Sequence, residues 1–131
     1  MATNCIETPT VFGRYTVPNA TAVALNTLMK LSGANTNTAY ANTGMDSFAG
    51  IAWEEKTTSD GLTNLTLAKN GVWGLVVATG AIATCGYTAK LSGAGVVCNA
   101  EASDLLIGNI VGQFEQSGTA GETVRTRVGA F

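Results

Sequence analysis

The chain has 131 residues, a length that predicts one domain and excludes a two-domain enzyme. Hydrophobic residues make up 46% of it, which is typical of a folded protein and excludes a disordered or collagen-like chain, whereas charged residues make up only 12%, against about a quarter in an ordinary domain. Seven basic and nine acidic residues give a net charge of −2, so we expect no direct nucleic-acid partner. Because the chain has so few charged residues, we expect much of its surface to contact another protein chain.

Residues 1–18 are predicted to form an extended N-terminal arm. Pro9 and Pro18 each restrict the preceding residue to extended geometry. The arm carries more large apolar residues than a solvated tail would, so we expect it to dock, either as an edge strand of its own domain or on a neighbouring chain. The candidate interface residues are Ile6, Val11, Phe12 and Tyr15.

Residues 19–131 contain an internal repeat. The string Lys30-Leu31-Ser32-Gly33-Ala34 recurs as Lys90-Leu91-Ser92-Gly93-Ala94. An apolar segment around a glycine follows in each half, at 48–52 and 106–110, and then a glycine opens an alternating segment, at 61–67 and 121–128. This ordered series predicts a single β domain made of two pseudo-repeats, at about 19–78 and 79–131.

The local sequence favours strands throughout. Asp60-Gly61 and Asn70-Gly71 are typical of tight turns, and the segment 123–128 alternates in polarity as a half-buried strand does. We expect strand over 20–31 and a short helix or capped turn at 100–106. The predicted fold is therefore mainly β, a compact β-barrel or β-sandwich with internal pseudo-duplication, an extended N-terminal arm and little helix.

Few residues of the chain suit catalysis. It has no histidine, which removes the usual general base and the commonest metal ligand. Glu54 and Glu55 are adjacent, so on a strand they would point to opposite faces and not form a catalytic pair. No metal-ligand spacing and no nucleotide-binding glycine motif is present. We therefore predict a protein that is not an enzyme, with no catalytic, cofactor or metal site.

The cysteines and the apolar segments bear on location. Cys5, Cys85 and Cys98 are odd in number and form no close pair, which favours a reducing compartment, and we expect Cys85 and Cys98 in the core. Residues 70–89 are uncharged but broken by glycines, so we predict buried strands and no membrane partner. The first residues do not resemble a signal peptide.

Taken in order, these motifs resemble the small capsid-decoration, or cement, proteins of tailed bacteriophages. The similarity covers the chain from about Tyr15 to the end. The segments that carry it are Thr16-Val17-Pro18, both Lys-Leu-Ser-Gly strings, 48–52, Asn70-Gly71-Val72-Trp73, 81–83, Gly86-Tyr87, Ile107-Gly108 and Val124-Arg125-Thr126-Arg127-Val128.

The resemblance implies a β-rich body that forms homotrimers on the exterior of the capsid, with a terminal arm over neighbouring subunits of the major capsid protein. The expected function is stabilisation of the phage head by bridging its subunits, in a protein made in the host cytoplasm and located in the virion. Two alternatives stay open: another virion component, such as a minor shell or tail subunit, and a non-enzymatic β-barrel that binds a small ligand or glycan.

Overall fold

Short strands joined by tight turns make up most of the chain. The computed structural model describes residues 3–31, 37–104 and 108–129. The thirteen strands in these ranges are β1 Asn4–Glu7, β2 Phe12–Thr16, β3 Leu28–Leu31, β4 Ala39–Ala41, β5 Phe48–Ala52, β6 Asn64–Ala68, β7 Gly71–Val77, β8 Ile82–Ala83, β9 Thr88–Gly93, β10 Val96–Asn99, β11 Ile110–Phe114, β12 Gly118–Thr119 and β13 Thr123–Val128.

The second half of the chain forms a closed five-stranded β-barrel, here called the barrel. Its strand order is β7-β10-β9-β11-β13, and β13 pairs with β7 to close the circle. The β7–β10 pair is parallel and the other pairs are antiparallel. β1 adds to the free part of the β7 edge, where Cys5 lies opposite Trp73. The predicted mainly β fold with a compact barrel is confirmed.

The first half forms a five-stranded antiparallel sheet, here called the first sheet, in the order β2-β6-β5-β3-β4. A parallel bridge between Thr16 and Thr38 brings its two edge strands together, so this sheet curls upon itself. The N–H of Thr16 donates to the carbonyl of Asn37 at 2.6 Å, which supports that bridge.

The first sheet and the barrel have the same topology. The β3–β4 hairpin corresponds to β9–β10, and β5, β6 and β2 correspond to β11, β13 and β7. Even the parallel contact between the outer strands recurs, as does the small accessory pair, which is the Val23–Lys56 bridge in one half and β8–β12 in the other. The two sheets occupy residues 12–68 and 71–128.

One detail of the predicted repeat is wrong. The sequence aligned the glycine of β5, Gly50, with Gly108. In the structure Met29 pairs with Gly50 and the corresponding Ala89 pairs with Gly112, so Gly112 is the matching glycine. A Cβ at Gly50 would lie 2.8 Å from the carbonyl oxygen of Ala68, and one at Gly112 would collide with the carbonyl of Arg127. Both glycines allow a neighbouring strand to approach closely.

The described residues form two apolar cores. One lies inside the first sheet and includes Tyr15, Val17, Met29, Leu65 and Leu67. The other fills the barrel and also takes in three residues from the outer side of the first sheet, which therefore packs against the barrel. These three residues, here called the covered face, are Leu28, Ile51 and Ala68.

Polar contacts complete this junction. The N–H of Gly95, in the β9–β10 turn, donates to Asn42 Oδ1 at 2.7 Å, and the N–H of Phe48 donates to the carbonyl of Gly108 at 3.0 Å. The two halves are therefore joined by both apolar packing and hydrogen bonds across the interface.

The segment expected as an arm lies against the body. β1 pairs with β7, and β2 is an integral strand of the first sheet, with Tyr15 opposite Leu65. The expected strand over 20–31 is present only as β3, at 28–31, because a residue with positive φ, Asn26, breaks the backbone before it. At 100–106 the described part is a turn closed by the N–H of Asp104 to the carbonyl of Glu101, and 105–107 lie outside the described residues.

Candidate interaction surface

The four candidate interface residues do not share one environment. Ile6 on β1, Val11 in the connector and Phe12 on β2 are 43%, 49% and 42% exposed. Tyr15 is only 8% exposed and belongs to the core of the first sheet. The cause is strand alternation, because Phe12 and Tyr15 are three residues apart on β2 and so point to opposite faces. Only the first three are available to a partner.

Aromatic rings connect this surface to the barrel. The Phe12 ring lies 5.5 Å from that of Trp53, and Trp53 makes an edge-on contact of 6.1 Å with Trp73. Trp73 is fully buried and its indole N–H donates to the carbonyl of Asn70 at 3.0 Å. Phe12 thus contacts Trp53 with its ring tilted and remains partly exposed. Trp53 and Trp73 meet because the first sheet packs against the barrel, which no local sequence pattern indicates.

Polar contacts hold the N-terminal segment to the body. Asn70 Oδ1 accepts hydrogen bonds from the N–H groups of Thr10 and Val11 at 2.8 and 2.9 Å, and its Nδ2 donates to Thr10 Oγ1 at 2.9 Å. The Glu7 carboxylate forms an ion pair with Arg125. Burial within β1 is slight, since only Cys5 of its four residues is partly covered. β1 is therefore attached mainly by backbone pairing and charge.

Most basic side chains are paired with carboxylates. The ion pairs are Arg14–Glu54, Lys30–Asp46, Lys56–Asp60, Lys90–Asp104, Arg125–Glu7 and Arg125–Glu115. Among the described residues, Lys69 and Arg127 are the cations without a carboxylate partner, and the Lys69 ammonium lies 5.3 Å from the Tyr15 ring. The sparse charge is thus largely neutralised within the molecule.

Glu54, one of the two adjacent glutamates, has a structural role. Its Oε1 accepts the N–H of Thr66 at 2.8 Å and lies 3.4 Å from Arg14 Nη1, so it ties the end of β5 to β6 and β2. Hydrogen bonding to Thr66 and the nearby Arg14 charge lower the pKa of Glu54 despite partial desolvation. A carboxylate so held is a hydrogen-bond acceptor and stays ionised at neutral pH.

The cysteines differ from one another in exposure. Cys98 on β10 is partly buried, but the expectation that Cys85 lies in the core is wrong, because it is exposed in the turn after β8, where its N–H donates to Ser117 Oγ. Partial burial raises the pKa of the Cys5 thiol, which keeps it protonated at neutral pH.

Two searches of the described ranges bear on other classes of site. In 3–31, 37–104 and 108–129, no three His, Cys, Asp or Glu side chains are grouped so that they could hold a metal ion. No helix within those same ranges has the length and apolar character needed to cross a membrane. In comparisons with known proteins, no protein-family model matches the chain, and no curated protein matches its sequence.

Proposed function

We propose that this chain is a structural protein of a bacteriophage virion, a capsid-decoration protein that binds the outer surface of the head and bridges capsid subunits. In this proposal its partners are the major capsid protein and two further copies of itself in a homotrimer. It contacts neither nucleic acid nor membrane and catalyses no reaction. Its contribution is mechanical, because it holds neighbouring shell subunits together against the pressure of packaged DNA.

The observation that carries the proposal is the exposed apolar surface of the N-terminal segment. Ile6, Val11 and Phe12 are each more than two-fifths exposed, and Trp53 beside Phe12 is 36% exposed. Large apolar side chains exposed on a protein whose charges are mostly paired internally are typical of a protein-binding surface.

The position of β1 suits it to bridging. One edge of β1 pairs with β7, and among the described strands none pairs with its other edge. A strand from the shell could add there through main-chain hydrogen bonds, while Ile6 supplies an apolar contact. Three such segments in a trimer would act together, because each docking step after the first is intramolecular and gains effective concentration.

The test removes residues 1–8 and measures binding to phage heads that lack this protein. The deletion must end before β2, because Tyr15 is a core residue and β2 pairs along its whole length with β6. We expect the shortened protein to keep its β-sheet circular dichroism spectrum and to lose binding to heads in a sedimentation assay, while the full chain binds.

A second variant guards against an effect of the deletion on stability. Replacing the exposed Ile6 and Phe12 by serine leaves β1 and β2 in place, so the fold should be retained while head binding falls by about tenfold or more. If both altered proteins bind heads as tightly as the full chain does, the N-terminal surface is not the binding surface and the proposal fails.

A further inference from the structure

The barrel has a face that corresponds to the covered face but is not covered. The pairings that join Ile51 to Leu28 and Ala68 in the first sheet join Gln113 to Thr88 and Arg127 in the barrel. Thr88 and Arg127 are exposed and Gln113 is partly exposed. This set, here called the polar face, consists of Thr88, Gln113 and Arg127.

The positive charge of Arg127 on this face is not paired with a carboxylate of the described residues. Its guanidinium donates to the neutral amide oxygen of Gln113, and Gln113 in turn donates to the carbonyl of Gly86 at 3.0 Å. Arg125, two residues earlier on the same side of β13, is bound by Glu115 and by Glu7. The described residues offer Arg127 no such carboxylate. Its side chain is therefore held in place by a neutral partner and retains an unbalanced positive charge.

A groove of 340 Å³ lies beside Arg127. It runs between the Asn70–Gly71 turn and the end of β13, and Val72 and Val128 give it an apolar wall. Glu7 also lines it, with its carboxylate paired to Arg125. An extended segment placed in this groove could put an apolar side chain against the valines and a carboxylate on the guanidinium. Arginine suits such a contact because its planar fork binds both oxygens of a carboxylate.

We propose that the polar face binds a carboxylate-bearing segment of a partner protein, with Arg127 forming an ion pair with an aspartate or glutamate at the mouth of the groove. The inference rests on the proposed function, in which the partner is the capsid shell. A nucleic acid is disfavoured as the occupant because a phosphate backbone is held by several cations, and on this side of β13 Arg125 is already paired with Glu7 and Glu115, which leaves Arg127 alone.

The experiment compares the binding of the full chain and three variants to nuclease-treated heads that lack this protein. Arg127→Gln removes one positive charge, Arg127→Glu reverses it, and Thr79→Glu makes the same charge change as Arg127→Gln. Thr79 is a matched control because it is exposed in the turn at the other end of β7. Thermal melting checks that each variant is folded.

We expect Arg127→Gln to weaken binding by about tenfold, Arg127→Glu to weaken it further, and Thr79→Glu to leave it within about twofold. Added salt should weaken binding of the full chain more steeply than binding of Arg127→Gln. Equal affinity of folded Arg127→Gln and the full chain would overturn the inference and leave the proposed function standing. Failure of the full chain to bind heads both before and after nuclease treatment would reject both, and binding that is present only before the treatment would show a nucleic-acid partner instead.

Discussion

The first sheet and the barrel share a strand order and present opposite chemistry at matching positions. The covered face is apolar and buried between the two halves, whereas the polar face is at least partly exposed. The hydrogen bonds between strands join backbone groups and can form whatever side chains the strands carry, so the two halves keep the same topology despite these differences. The side chains at a few positions then decide which face packs inside the molecule and which one stays open to solvent or a partner.

The largest predicted change in the free energy of unfolding comes from exchanging the residue types at Ile51 and at the matching position in the barrel, Gln113. Ile51 is fully buried, so Ile51→Gln would place an amide without partners in the junction and lower the free energy of unfolding by about 3–5 kcal/mol. The reverse exchange, Gln113→Ile, should change it by about 1 kcal/mol or less, because that side chain lies at the surface. Urea unfolding followed by tryptophan fluorescence measures both. Similar small changes in the two variants would show that the covered face is not buried.

The two lysine–aspartate pairs are expected to differ, by a smaller amount, in how much they stabilise the fold. The repeated lysines each contact an aspartate: Lys30 lies 3.9 Å from Asp46, and Lys90 lies 3.4 Å from Asp104. The Asp104 side chain is 5% exposed and that of Asp46 is 24% exposed. Because solvent screens the first pair more, Asp104→Asn should lower the free energy of unfolding by about 1–2 kcal/mol and Asp46→Asn by less.

The aspartates of these two pairs predict that the stability of the fold depends on pH. The N–H of Glu101, together with Asn109 and Lys90, lowers the pKa of Asp104 in spite of desolvation. For Asp46 desolvation raises the pKa, but the N–H groups of Thr43 and Gly44 and the Lys30 charge lower it on balance. A carboxyl whose pKa is lower in the folded state stabilises the fold above its unfolded pKa of about 4, and that contribution is lost as pH falls through the folded value.

Thermal melts between neutral pH and about pH 2.5 test this dependence. The melting temperature of the unaltered protein should fall below about pH 4 and approach that of Asp104→Asn. A gap between the two proteins that stays constant down to the lowest pH would show that the Asp104 charge contributes nothing to stability.

Local patterns predicted much of the fold and less of the surface. The alternation in 123–128 correctly separates Val124, Thr126 and Val128, all buried, from the arginines on the other side of β13. Closure of the barrel depends on β7 pairing with β13, some fifty residues later, and no local pattern contains that information. The same limit explains the misplaced glycine, because only strand register distinguishes Gly112 from Gly108.

The surface depends even more on long-range pairing. Alternation along β2 separates Tyr15 from Phe12, a difference that the prediction of one arm over residues 1–18 does not contain. The contact between Trp53 and Trp73 joins the two halves of the chain, and the match between the exposed Arg127 and the buried Ala68 follows from strand pairing. Neither feature can be read from neighbouring residues.

The central claim, that this chain is an external structural component of a phage head, is tested most directly by quantitative mass spectrometry of purified virions. Intact particles would be labelled with a membrane-impermeant amine reagent before digestion. We expect the chain to be present in hundreds of copies per particle and the exposed Lys69 to be labelled in intact heads. Absence of the chain from virions, or its presence in only a few copies, would contradict the account.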